Sequence, residues 1–508
     1  MFYFLIFFWL FRQTKAILFW LYLWQLKEYH LGRFIDHFRT EKGKQLLFNK
    51  LLIFKIVLLL GYSLILPWLN YQVWSIFLLI LYFFEAVKSF FDYFQKKLKI
   101  PIFTKKIIFL TFIIFFFELF YLISFFQDKN FPFYLLIFDI FTPVVASGIV
   151  LIFQPLAAVG RNQIIKKAKE KRAKFKNLIV IGITGSYGKT STKEFLATIL
   201  SEKFKVLKTK EHQNSEVGIS QCILNDLKEE HEIFVIEMGA YNRGGIKLLC
   251  DITKPKIGIL TGINEQHMAT FGSLENIIKT KYELIESLPR SEPKVLLRGL
   301  PIESAAFFNA KNRYCLELYQ KTKIKRHLYG EDAKFFGEEN LFGAVAVAKE
   351  LGMSEEEISL ICQKIDNKLP GIRLKKGING LNVIDATYSA NPDGVISHLE
   401  YLKIWPNKKV IVMPCLIELG PASKEVHKRI GQKISEVCNL AIITTKERFK
   451  EIKDGASESG MEEENILFIE KPKEIFKKIK SFCQPEDMVL LESRVPSELK
   501  NLLWKLEK

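Results

Sequence analysis

Residues Ile179 to Thr192 read IVIGITGSYGKTST: an apolar β-type run, a turn of small residues, then a lysine-threonine pair opening an amphipathic helix. Small residues let backbone N–H groups close around phosphate oxygens, and the N-terminus of the following helix adds positive potential. Thr184, Gly185, Ser186, Tyr187, Gly188, Lys189, Thr190 and Ser191 are therefore candidate nucleotide contacts. Lys189 supplies a point charge and Thr190 a hydroxyl suited to Mg²⁺. The pattern is a short T-G-S-x-G-K-T-S form, because Ile183 stands where a longer phosphate-loop motif has its first Gly. Downstream, the run IFVIEMGA delivers Glu237 at the end of a strand, where a carboxylate can hold Mg²⁺. His267 follows a further strand, and Lys281 lies within a helix. Alone, each would be an ordinary surface residue.

These residues need a scaffold, and composition divides the chain in two. Of 508 residues 49% are hydrophobic and 13% aromatic, and almost all the long apolar runs precede residue 155. Four stretches, Leu51–Leu69, Val73–Phe91, Ile107–Phe126 and Phe133–Phe153, are long enough to span a bilayer core of about 30 Å as helices. Phe2–Leu26, interrupted by Arg12, Gln13 and Lys15, is either a fifth span or an interfacial segment, with the span preferred. Lysines and arginines gather in 27–50, 96–106 and 161–176, while the links near 70–72 and 128–130 carry almost no net charge. Every basic link thus falls on one face, which is expected to be cytoplasmic. The net charge of +18 follows this topology rather than a nucleic-acid footprint, so no nucleic-acid partner is expected. Within the apolar runs, Glu85, Glu118 and Asp139 mark either a polar pathway or helix contacts, with contacts preferred because Glu85 can pair with Lys88 at i,i+3. The seven cysteines show no C-x-x-C spacing and are read as reduced thiols of a cytosolic compartment.

From Asn177 onward short apolar strands alternate with helical segments, the signature of parallel α/β sheets. A domain boundary is expected at the Lys368–Arg373 turn. The expected organisation is a helical membrane domain at 1–155, a basic juxtamembrane linker at 156–176, an ATP-binding domain at 177–368 and a C-terminal domain at 369–508.

TGSYGKTST, EMGA, the run from His267 to Ser273, the helix lysine in TKYEL, and DATYSANP at Asp385–Pro392 occur in the order seen in Mur ligases. The chain from about residue 177 to its end resembles that family, and the Asp-x-x-Tyr-x-Ala-Asn-Pro form most resembles the branch that joins D-alanyl-D-alanine to a muramoyl tripeptide. IELGPASKEVH and Ser493-Arg494 are similar to segments of the same branch. The resemblance implies a fold: an α-helical membrane domain, then a P-loop-type central ATPase domain and a Rossmann-like C-terminal domain. It also implies ATP and Mg²⁺ as cofactors. Lys189 would contact the β- and γ-phosphates, Thr190 and Glu237 one Mg²⁺, and His267 a second. Lys281, when carbamylated, would help hold that second ion; Lys189, His267 and Lys281 are the catalytic candidates. Asn340, Arg373 and Asp385 would reach ATP. Asn214, Ser215, Gly218, Tyr388, Asn391, Glu418 and His427 would line the substrate side.

Several positions depart from the family pattern. Glu339 stands for a His, Gly343 and Gly262 for Asn residues, Ala386 for an Asp and Glu492 for a Gly, while His212 and Ser215 replace Asn residues. Apolar helices stand before the central domain, where soluble members carry the domain that grips the UDP end of the substrate. The expected protein is therefore a multi-pass cell-membrane enzyme with cytoplasmic catalytic domains, acting on a muramoyl peptide and D-alanyl-D-alanine or another amine, with other cell-wall enzymes as further partners. The alternatives are a ligase adding another amino acid or using a lipid-linked acceptor, a non-catalytic nucleotide-binding scaffold, and an ATP-energised transporter.

Overall fold

A computed structural model describes residues 2–65, 71–95, 97–210, 213–290, 295–333, 337–364, 373–387 and 391–504. It divides into two compact units, Met1–Arg161 and Asn162–Lys508.

In the first unit the apolar runs are helices, because no interior glycine or proline cluster stops them and only a helix satisfies its own backbone among apolar side chains. They are Phe2–Leu26, Lys50–Ile65, Tyr71–Phe94, Lys105–Phe125 and Phe131–Ile152. Among the described residues, five helices are long and apolar enough to cross a membrane, Phe2–Leu26 among them. Most of the basic segment 156–176 lies in one helix, Gln154–Ala173.

Glu85 does not pair with Lys88 as the sequence spacing suggested. Its carboxylate meets Arg12 from the first helix and Lys55 Nζ at 2.5 Å. Lys55 Nζ also lies 2.5 Å from Asp139 Oδ2, and Gln13 Nε2 donates to Asp139 Oδ1 at 3.0 Å. Two cations and two anions are thus closed upon one another, which explains the polar interruption in Phe2–Leu26. Removing one member of such a buried set strands the opposite charge. Lys55→Met is expected to destabilise the first unit by about 3 kcal/mol. Thermal unfolding of the full chain in detergent would read this, and an unchanged midpoint would contradict it.

The second unit holds two six-stranded sheets. The first runs Val206–Lys208, Ile233–Glu237, Ile179–Thr184, Ile257–Leu260, Ala305–Asn309, Lys325–Tyr329, with every neighbour parallel. The second runs Ile466–Phe468, Leu440–Ile443, Lys409–Met413, Met488–Glu492, Asn382–Ala386, Arg373–Lys376, and only the last joins antiparallel. All-parallel strands need both faces covered, which is why the central strands read as unbroken apolar runs.

Two glycines on neighbouring strands set the depth of the helix that carries Lys281. Gly182 and Gly258 are register partners. A Cβ at 182 would sit 2.8 Å from Leu284 Cδ1, and one at 258 would sit 2.9 Å from Ile285 Cδ1. The missing side chains therefore form a trough into which helix Leu274–Glu286 sinks. One turn earlier on that helix, Lys281 is delivered beside the strand that opens the phosphate loop.

Candidate functional site

The loop Gly185–Gly188 leaves strand Ile179–Thr184 and enters helix Lys189–Ser201 through Gly188, whose φ of +79° is left-handed. A side chain there would be strained and would also overlap Asn340 Oδ1. Lys189 Nζ donates to the carbonyls of Gly185, 2.8 Å, and Ser186, 3.2 Å, so the lysine arches back over its own loop. Burial holds its ammonium pKa below the ordinary value, and Glu237 partly offsets that.

Thr190 Oγ1 donates to Glu237 Oε2 at 2.8 Å, and Asn214 Nδ2 donates to Glu237 Oε1 at 3.0 Å. The carboxylate is thereby fixed at the end of its strand with a hydroxyl on one side and an amide on the other. Lys193 Nζ, fully buried and paired with Glu194 at 3.2 Å, lies 3.8 Å from Glu237 Oε2. The sequence reading passed over Lys193. Its signal was spacing, since it follows Lys189 by one helical turn and so shares its face.

Lys281 is 3% exposed and lies within electrostatic reach of Lys189. Burial first, and the Lys189 charge second, push its amine down to about 7. His267, in a left-handed conformation at φ +64°, turns Nδ1 to Glu418 Oε2 at 2.6 Å. Burial lowers its pKa, the Glu418 bond opposes that, and Lys281 and Lys189 lower it further. Lys189, Glu237, Lys281 and His267 therefore share one neighbourhood around the phosphate loop.

Glu418 comes from the C-terminal domain, where it too has a left-handed φ of +64°, and its carbonyl accepts the Ala269 N–H at 3.1 Å. Asn391 caps helix Pro392–Leu402 through Gly394 N at 2.9 Å and accepts from Asn264 Nδ2 at 3.3 Å. Asn340 is buried against Thr192 Oγ1 at 3.2 Å, beside Gly188. Asp385 is occupied locally: Oδ1 accepts from the Thr387 N–H and hydroxyl, and Oδ2 lies 3.5 Å from Lys500. In the backbone register of the antiparallel strands Arg373 stands opposite Asp385. Ser215 and Gly218 form the cap of helix Glu216–Asp226, with Ser215 Oγ accepting from Gly218 N at 3.3 Å. Tyr388 lies outside the described residues.

His427 is not brought to the others. It is 0% exposed, its Nε2 accepts the Leu416 N–H at 2.9 Å, and its Nδ1 donates to the Ser423 carbonyl at 2.5 Å. With both nitrogens spent on backbone, it holds the 416–423 turn in shape instead of meeting a substrate.

Two departures from the family pattern have a volume explanation. A Cβ at Gly262 would overlap the ring of Tyr187, and one at Gly343 would come 2.9 Å from Tyr329 Cε2. In each case a tyrosine ring fills the space that a side chain at the glycine would need. Glu339 caps its own helix by accepting the Gly337 N–H at 2.7 Å, and burial raises its pKa.

The residues present fit one Mg²⁺ without further change, because that ion is commonly held by one or two protein oxygens plus substrate phosphates. Thr190 and Glu237 offer such a pair. Among the described residues, no three His, Cys, Asp or Glu side chains form a ready metal cage. A second ion fits at His267 only when Lys281 carries a carbamate, because a buried ammonium would repel it.

A Gly-rich phosphate loop on a parallel sheet, faced by a second α/β domain, defines a two-domain phosphate-loop nucleotide-binding protein. Residues 183–371 match the Mur ligase middle domain and 372–494 the Mur ligase glutamate ligase domain, so the chain belongs to the Mur ligase family. It is 31% identical over 274 residues to the UDP-N-acetylmuramoyl-tripeptide--D-alanyl-D-alanine ligase of Synechocystis sp., covering 50% of this chain and 59% of that one. The Bacillus subtilis ligase of the same name is 26% identical over 348 residues, covering 64% and 75%. MurF ligase from Thermotoga maritima, solved in complex with ADP, superposes with a TM-score of 0.55 at 25% identity, covering 67% of this chain and 83% of that one. MurF from Acinetobacter baumannii shares the fold, with a TM-score of 0.57 at 23% identity, covering 67% and 80%.

Proposed function

We propose that this chain is an ATP-dependent, ADP-forming carboxylate–amine ligase that joins D-alanyl-D-alanine to a muramoyl tripeptide, with its catalytic domains on the cytoplasmic side of a membrane spanned by its apolar helices. The observation that carries this is the Thr190 hydroxyl held 2.8 Å from Glu237 at the mouth of the phosphate loop, with Lys281 and His267 buried within electrostatic reach of Lys189. A scaffold would not need a buried lysine pair beside a carboxylate. The ADP complex of the Thermotoga relative and the names of the sequence relatives support the same reading. The five long apolar helices and the one-sided basic links support the topology.

A peptide carboxylate is a poor electrophile and must be activated. Its oxygen attacks the γ-phosphorus of ATP, the bond to the β-phosphate oxygen breaks, and ADP leaves behind an acyl phosphate. The amine nitrogen then attacks the acyl carbon, loses a proton and displaces inorganic phosphate. Lys189 and the loop N–H groups bind the phosphates; Thr190 and Glu237 would hold Mg²⁺, which neutralises phosphate charge when bound. His267 and carbamylated Lys281 would hold a second ion. Glu418 fixes the His267 ring, leaving Nε2 to meet a ligand.

Full-length protein in detergent, given ATP, Mg²⁺ and D-alanyl-D-alanine, is expected to add the dipeptide to a muramoyl tripeptide, read by mass spectrometry with ADP release. Because apolar helices precede the central domain, the lipid-linked tripeptide is expected to outperform the UDP-linked one. Turnover of the soluble acceptor alone would overturn that preference, and no amine-dependent ADP release with either acceptor would overturn the ligase reading. Gly262→Ala is expected to weaken ADP binding about tenfold by pushing Tyr187 and its loop aside, about 1.4 kcal/mol. Calorimetric titration would measure it, with Tyr187→Ser on the same chain restoring affinity.

A further inference from the structure

Asn264 lies between the phosphate loop and the C-terminal domain, and each of its polar groups is committed. It is 2% exposed. On one side its N–H donates to Ser186 Oγ at 3.2 Å, and its carbonyl accepts the same hydroxyl at 3.4 Å. On the other, its Nδ2 donates to Asn391 Oδ1 at 3.3 Å and to Asp393 Oδ2 at 3.1 Å. Its Oδ1 accepts the Gln266 N–H at 3.0 Å, which fixes the amide so that the NH₂ group must point at the C-terminal domain.

Both ends of this bridge are anchored. Ser186 donates its own N–H to the Gly262 carbonyl at 2.6 Å, so its hydroxyl follows the shape of the loop. Asn391 caps helix Pro392–Leu402, and Asp393 stands in that helix's first turn, where the helix dipole favours a carboxylate. Tyr388 precedes Asn391 by three positions in the sequence. Further contacts between the domains join His267 to Glu418, the Ala269 N–H to the Glu418 carbonyl at 3.1 Å, and Glu265 to Arg429 at 3.9 Å.

We propose that Asn264 and Asp393 are positioning residues that lock the phosphate loop to the first turn of helix Pro392–Leu402, so that nucleotide seated on the loop sets the place of the amine-side segment. Breaking the contact would strand buried polar groups, so the lock favours one mutual placement of the two domains. Its chemistry demands a neutral donor at 264 and an acceptor at 393. What the lock aligns rests on the ligase reading; the lock itself does not.

Hydrogen exchange of the full chain in detergent, with and without ADP and Mg²⁺, tests it. In the natural protein ADP is expected to slow exchange across 391–402. Asn264→Asp sets a carboxylate against Asp393 and is expected to abolish that slowing while shifting the ADP Kd less than about threefold, or about 0.65 kcal/mol. The reciprocal pair Asn264→Asp with Asp393→Asn reverses donor and acceptor and is expected to recover at least half of it. Asp393→Ala removes the acceptor without burying a new charge and, should the first variant not fold, is expected to weaken the slowing on its own. In ligation assays Asn264→Asp is expected to raise KM for the amine about tenfold with little change in KM for ATP, about 1.4 kcal/mol. ADP-induced slowing that survives both Asn264→Asp and Asp393→Ala, or a reciprocal pair that folds without recovering it, would overturn the lock. A natural protein that shows the slowing but no amine-dependent ADP release would leave the lock standing and the ligase reading refuted; one that does not bind ADP would overturn both.

Discussion

Lys189→Ala is expected to lower amine-dependent ADP release at least about a thousandfold, roughly 4 kcal/mol of lost transition-state stabilisation. Two separate losses combine. The ammonium supplies positive charge where the transferred phosphoryl group spreads negative charge, inside a site whose burial strengthens every such interaction. It also braces its own loop through the Gly185 and Ser186 carbonyls, so its removal frees two acceptors that help hold the backbone N–H groups in place. The second loss predicts a signature of its own: ADP affinity should fall along with turnover. Lys254, an exposed lysine near the start of the next strand, serves as the control, and its replacement by Ala should leave both unchanged. A Lys189→Ala protein that retains a tenth of its turnover would contradict the reading.

What was legible in the sequence follows from which interactions are local. The phosphate loop, Glu237 at a strand end and the Gly182 and Gly258 strands lie within short, strongly patterned segments, and their elements are visible in the spacing of apolar residues. Edge strands were not: Lys325–Tyr329 and Arg373–Lys376 carry charged side chains because one edge faces away from the core; the inner strand Ala305–Asn309, paired on both sides, has no alternation to betray it. Long-range polar partners were hidden for a different reason. The Arg12 and Lys55 contacts with Glu85, and the Asn264 contacts with Asn391 and Asp393, join residues 30 to 129 positions apart, and nothing in local pattern specifies which residues will meet. His427 shows the opposite error, a residue picked out by motif whose ring the fold spends on two backbone groups.

Lys281→Ala is expected to cut ligation at least about a hundredfold, because it removes the group that would turn anionic beside His267 and Lys189. An ammonium cannot attack carbon dioxide, but a neutral amine can, giving a carbamate and releasing a proton. Burial and the neighbouring Lys189 charge hold the Lys281 amine at about 7, so half of it is in the reactive form near neutrality. The sign for stability is set by the same numbers. Between about 7 and the ordinary lysine value of 10.5 the folded amine is neutral while the unfolded one keeps its proton, so the unfolded chain binds more protons and stability rises with pH across that window. Below about 7 the folded amine also protonates and that contribution no longer changes. Full-length protein equilibrated with ¹³C-bicarbonate should show a carbamate carbon resonance that fades as pH falls below neutrality, in step with ligation, and that is missing in Lys281→Ala. Bicarbonate-depleted buffer should lower turnover of the natural protein and leave Lys281→Ala unaffected. A carbamate signal that persists in Lys281→Ala, or turnover indifferent to bicarbonate and to the loss of Lys281, would show that this lysine stays an amine and that His267 works without it.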